Sequence, residues 1–127
     1  MFGLFKMDKG NTPIIKQLPA AAATYNVGEV AVLSGGVVTK ATGTTKPEYV
    51  VVEKGTKTTA DTVSVTPIYP DQEYITTLST AGTLTVGVAY TIAANSAQVT
   101  ATSTSGVATV VETTGSASGS AVVVKFI

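Results

Sequence analysis

Eight acidic residues and eight lysines make up the whole charged inventory of this 127-residue chain, with no histidine, cysteine or tryptophan beside them. That inventory leaves carboxylate pairs as the main route to catalysis. Asp71 and Glu73 stand two apart in "YPDQEY", and Glu48, Glu53 and Asp61 are the other candidates. A general acid–base pair needs two carboxyl groups facing one bond. A turn in which Asp71 caps backbone amides and Glu73 is solvated accounts for the first pair more simply. A Ca²⁺ site at "PDQE" needs several converging oxygens, and the EF-hand spacing is absent. Without histidine and cysteine, the common zinc sites, Ser-His-acid triads and thiol nucleophiles are excluded. The reading is therefore of a chain that is not an enzyme and takes no metal or cofactor.

The basic residues are equally sparing. There is no arginine, so bidentate contacts to phosphate and guanine are missing, and no nucleic-acid partner is expected. Lys54 and Lys57 read as a solvated surface, whereas Lys6, Lys9 and Lys16 are placed to meet an acidic partner surface. Tyr25, Tyr49, Tyr69, Tyr74 and Tyr90 could supply sugar-binding platforms, but they are scattered, and a buried ring with its hydroxyl near water is the plainer role. Gly35-Gly36 is better used in a hairpin turn than in a phosphate loop.

Charged residues are 13% of the chain, about half of the roughly 25% usual in soluble proteins, and the net charge is zero. Little repulsion keeps copies apart, so association is favoured. Lys6, Asp8 and Lys9 interrupt any secretory h-region, and no run reaches the roughly 20 apolar residues of a membrane span. A soluble intracellular product without a membrane partner is the expectation.

The elements that must carry these residues are strands. Val and Thr dominate every segment, and both are weak helix formers. The stretch 27–53 organises the rest: a β-rich run at 27–34 meets Gly35-Gly36, and a second run follows at 37–42. Two glycines permit the positive φ angles of a type I′ turn. Ser34 then faces Val37, Leu33 faces Val38 and Val32 faces Thr39. Apolar groups fall on both faces, so both are expected to be covered. A short covered strand is read at 49–52 and a polar loop at 54–62. A strand at 63–66 ends at Pro67, which places it at an edge or at its own terminus. Further strands are expected at 74–78, 84–92 (around Gly87), 99–104, 107–112 and 122–127. Short strands between Gly/Ser/Thr turns indicate an all-β fold: a small sandwich or partly open barrel of mainly antiparallel strands.

Residues 1–26 read as an extended N-terminal arm and linker, and residues 27–127 as a single β domain. Met1, Phe2, Leu4 and Phe5 form an apolar tip, Pro13 and Pro19 keep the chain extended, and Ile14 and Ile15 precede Lys16. A weak internal echo is present. "VG" at 27–28 recurs at 86–87, and "VVE" at 51–53 recurs at 110–112 with the same separation. Two similar β halves or coincidence in a Val-rich chain account for it equally.

The Cys-free, Thr/Ala/Val/Gly-rich body resembles the head decoration (capsid cement) proteins of tailed bacteriophages. The resemblance lies in "VGEVAVLSGGVVTKATG", the Val-rich strand after it and "GVAYTI", and it loosely covers most of residues 20–127. It implies a structural virion protein on the outer surface of the expanded capsid, bound to the major capsid protein, frequently as a homotrimer, after synthesis in the host cytoplasm. It also implies that an N-terminal extension makes the capsid contact. Phe2, Leu4, Phe5, Lys6, Lys9, Pro13, Ile14, Ile15 and Lys16 are the residues expected to carry it. A fibre, tail or surface-layer domain, or a non-catalytic carbohydrate-binding module, is the alternative.

Overall fold

The computed structural model describes residues 1–7 and 14–127. Twelve strands and no helix occur among them. They are β1 (Gly3–Met7), β2 (Lys16–Pro19), β3 (Ala23–Tyr25), β4 (Val30–Ser34), β5 (Val37–Lys40), β6 (Tyr49–Val51), β7 (Gly55–Lys57), β8 (Thr62–Pro67), β9 (Gln72–Thr77), β10 (Ala89–Tyr90), β11 (Ala108–Thr113) and β12 (Ala121–Lys125). One five-stranded sheet has the order β1-β9-β12-β11-β10, and the other the order β2-β8-β6-β4-β5. All named pairings are antiparallel, and the sheets pack as a small sandwich rather than a closed barrel.

The second sheet is buried on both faces. Val30 and Val50 join the core between the sheets with Phe2, Tyr74, Val122, Val124 and Phe126. Their neighbours Ala31 and Val51 point the other way, into a second cluster with Val38, Val63 and Val65, which Tyr25 of β3 covers. Strand alternation thus sends consecutive apolar residues into two different cores. The β4–β5 hairpin pairs Ser34 with Val37, Leu33 with Val38 and Val32 with Thr39, and Gly35 and Gly36 sit at φ 58° and 83°.

The fold departs from the sequence expectation where apolar residues lie in turns. Of the run 84–92, only Ala89–Tyr90 is a strand. Gly87 takes φ +87° in a turn closed by Val88 N–H donating to Thr85 O (3.1 Å). Of 99–104, only Val99 pairs, through isolated bridges. Inside the expected loop 54–62, β7 forms a two-stranded ribbon with β3.

The same strand plan is laid down twice. Val27 to Val86 is a step of 59 residues, and so is Val51 to Val110. At that step the pairs Val30–Val50 and Ala31–Tyr49 become Ala89–Thr109 and Tyr90–Ala108. The pairs Val50–Thr66 and Val51–Val65 likewise become Thr109–Lys125 and Val110–Val124. Gly28 and Gly87 share φ values of 85° and 87°, and their N–H groups donate to Val51 O (2.9 Å) and Val110 O (2.8 Å). With a step one residue shorter, β2 superposes on β9: Lys16–Val65 becomes Tyr74–Val124. The parallel bridge Ala20–Val38 has a counterpart in Leu78–Val99, with Val99 two residues further on than the step of 59 would place it. Even the ribbon is echoed, since Gly82 N–H donates to Ser116 O where Ala23 pairs with Lys57. The cores correspond too: Ala20, Tyr25, Ala31, Val38, Val51, Val63 and Val65 match Leu78, Leu84, Tyr90, Val99, Val110, Val122 and Val124, all buried. β1 stands outside this scheme, because it pairs with β9 and, among the described residues, has no counterpart beside β2.

Candidate lattice-contact surface

The expected contact residues that the structure describes lie at or beside one edge of each sheet. Phe2 is buried at 2% exposure, with its ring edge-to-face against Phe126 at 5.5 Å between centroids. Its N–H donates to Gly28 O (2.8 Å), and the amino group of Met1 donates to Ala97 O (2.7 Å). Burial lowers the pKa of that amino group, with nearby Glu29 acting in the opposite direction. Phe2 therefore helps to close the core, whereas Leu4 and Phe5 are exposed. Leu4 pairs with Tyr74 and Lys6 with Glu73, so Phe5 is the extra residue of a bulge. A bulge breaks strict alternation and re-aims a side chain. Lys9 and Pro13 lie outside the described residues. Ile14, Ile15 and Lys16 are exposed at the edge beside β8.

The apolar surface extends beyond the residues picked from the sequence. Met1, Leu4, Val27, Val50, Val52 and Thr66 contribute to a pocket of about 290 Å³ between the N-terminal segment and the second sheet. Met1, Leu4 and Val27 are themselves exposed around it. Val27 escaped the sequence reading because it was counted as a core strand residue. It instead stands in the turn of 26–29, which the adjacent Gly28 (φ +85°) permits.

The titratable side chains are engaged in holding loops. Asp61 accepts from the N–H (2.7 Å) and hydroxyl (3.0 Å) of Thr58. Those bonds hold its carboxyl below the usual range. Glu53 accepts from Ser64 N–H (2.7 Å) and pairs with Lys57 (3.3 Å). The Ser64 bond is the main cause of its lowered pKa. Glu48 accepts from Leu33 N–H (3.1 Å). Glu29, buried and missed in the sequence reading, clasps its own turn by accepting from Asn26 N–H (2.6 Å), and it pairs with Lys40 (3.2 Å). Beside Asp71 and Glu73, the turn is capped by Gln72, whose Oε1 accepts from Tyr69 N–H (2.8 Å) and Tyr74 hydroxyl (2.6 Å). Among the described residues, no three acidic side chains gather where they could hold a metal ion.

Of the tyrosines, Tyr25, Tyr74 and Tyr90 are buried. The Tyr25 hydroxyl lies 2.7 Å from Ala21 O and 3.0 Å from Val38 O, and Tyr90 accepts from Thr85 N–H (2.8 Å). Tyr49 lines a more open groove of about 500 Å³ with Pro47, Pro67, Ile68, Pro70 and Phe126. No flat array of tyrosine faces is built there. No protein-family model matches the chain, and no curated protein or solved structure is significantly similar to it.

Proposed function

We propose that this chain is a structural virion protein that binds the outer surface of an assembled phage capsid and stabilises the expanded head. The carrying observation is the apolar surface at the N-terminal edge: Leu4 and Phe5 stand exposed on β1, and exposed Met1 and Val27 line one pocket with Leu4. A contiguous exposed apolar patch marks a contact surface more often than chance scatter does. The consumption of Glu48, Glu53 and Asp61 in backbone bonds supports the same non-catalytic reading. The low charge content fits a surface that sheds its water readily against another protein.

The test is binding to emptied, expanded phage heads. Removing the first nineteen residues would also remove Phe2 from the core and an edge strand from each sheet, so the variants of choice are Leu4→Ser and Phe5→Ser in the full chain. The intact protein should bind at a fixed number of sites and raise the temperature of head disruption. The double variant should keep its fold and bind at least ~10-fold more weakly, as loss of anchor side chains does. Equal binding by both proteins overturns the assignment of the contact.

A further inference from the structure

We propose that this chain engages two copies of one partner surface at once, through two equivalent turns that carry Val27 and Val86 at their tips. The inference rests on the capsid-binding reading and adds a requirement to it. The partner must present its contact in identical copies, as neighbouring subunits of a protein shell do.

The internal repeat carries the argument. Residues 26–29 and 85–88 are related by the step of 59 and form the same turn, just ahead of β4 and of β10. Glu29 N–H donates to Asn26 O (3.3 Å), and Val88 N–H donates to Thr85 O (3.1 Å). The third residue is glycine in both, at φ 85° and 87°, which is the type II signature. Each glycine N–H is tied to the neighbouring strand, at Val51 O and at Val110 O. The two turns are therefore held in the same way.

A type II turn asks for glycine at its third position and for nothing apolar at its second. The second residue is nonetheless valine in both, 49% exposed at Val27 and 60% at Val86. Among the described residues, no other large apolar position is exposed in both repeats. Leu33 is exposed, but its counterpart Ile92 is buried. Ile127 is exposed, but Ile68 packs against the core. Ile75 is exposed where the first repeat has Gln17. Single exposed apolar side chains are ordinary. Here one recurs on a turn whose flanking residues have changed from Asn26 and Glu29 to Thr85 and Val88. Neither burial nor turn geometry accounts for that.

The surroundings rank the two contacts. Val27 lines one pocket with Met1 and Leu4, whereas a methyl group added beside Val86, at Gly87, would meet nothing. Val27 thus belongs to the larger contact and Val86 to the smaller. Two contacts on one body make the second an intramolecular event. Avidity then exceeds either affinity by about 10²–10⁴ where the spacing of the partner copies matches. On an assembled shell, even the small contact at Val86 counts.

The test uses the full chain and emptied, expanded heads. Val86→Ser should weaken binding at least ~10-fold and Val27→Ser more, while Leu33→Ser leaves it unchanged. All three positions are exposed, so far-UV dichroism should not change. The chain has no cysteine, so Val27→Cys and Val86→Cys can each carry a photo-reactive maleimide. Either single label should join the chain to one shell subunit, and the double label should join one chain to two. A doubly labelled chain that captures only one subunit overturns the two-copy contact. So does binding that Val27→Ser weakens and Val86→Ser does not, or that Leu33→Ser weakens as much as Val86→Ser; the capsid reading then still stands. Heads that fail to bind the intact protein overturn both.

Discussion

Replacing Phe2 by alanine tests whether the first residues belong to the body. The ring is 2% exposed, stacks edge-to-face on Phe126 at 5.5 Å, and shares that neighbour with Tyr74, whose ring lies 5.7 Å from Phe126. Burial loss plus the cavity left behind ordinarily costs about 3–5 kcal/mol for Phe→Ala. The cost has a ceiling here, because β1 is a terminal edge strand. If β1 detaches, the loss cannot exceed what its docking contributes. The expected loss is therefore near the low end, about 3 kcal/mol. With a urea slope of roughly 1.5–2 kcal/mol per M, the midpoint falls by about 1.5–2 M. Leu4→Ala, on the same strand but exposed, should cost less than ~0.5 kcal/mol. A Phe2→Ala loss below ~1 kcal/mol would refute the reasoning, since the N-terminal segment would then contribute nothing to the core.

The repeat makes a paired prediction. Gly28 and Gly87 share a left-handed conformation, so alanine at either costs about 1 kcal/mol in strain. At Gly28 an added methyl also meets the Met1 side chain, whereas at Gly87 it meets nothing, so Gly28→Ala should be the more destabilising in thermal melts. In acid, Glu53 and Asp61 have carboxyls held below their unfolded values of 4.5 and 3.8. Their stabilising effect is complete above those values and is lost as pH falls through the lower folded ones. Urea midpoints should therefore decline in acid, and less steeply in Glu53→Gln. In alkali, burial and then the charge of Asp71 raise the Tyr74 hydroxyl from 10.0 to about 12. The folded chain keeps that proton longer than the unfolded one, so stability should fall between pH 10 and about 12. Ultraviolet titration should show the Tyr74 phenolate appearing late, and Tyr74→Phe should remove that component.

The β4–β5 hairpin was legible because Gly35-Gly36 leaves a two-residue loop a single sensible register, and flanking Val and Leu on both faces foretold burial on both. The run 84–92 misled because Gly87, in a left-handed turn, interrupts an apolar run without changing its composition. The echo of "VG" and "VVE" was visible, but two short strings cannot distinguish repetition from Val-rich chance. The shared hydrogen-bond register of Val51 with Gly28 and of Val110 with Gly87 can. At the N-terminal edge, apolar character was readable, but its division was not. Phe2 closes the core and Leu4 and Phe5 stay exposed in a strand that is placed by pairing with β9, a contact some seventy residues away in sequence.

The most direct measurement is the occupancy of expanded, emptied heads by purified protein, followed by their thermal disruption. Saturable binding that delays disruption, and that Leu4→Ser with Phe5→Ser abolishes or weakens at least ~10-fold, is the predicted result. A folded protein that leaves the heads bare, or binds them as well without those two side chains as with them, contradicts the account.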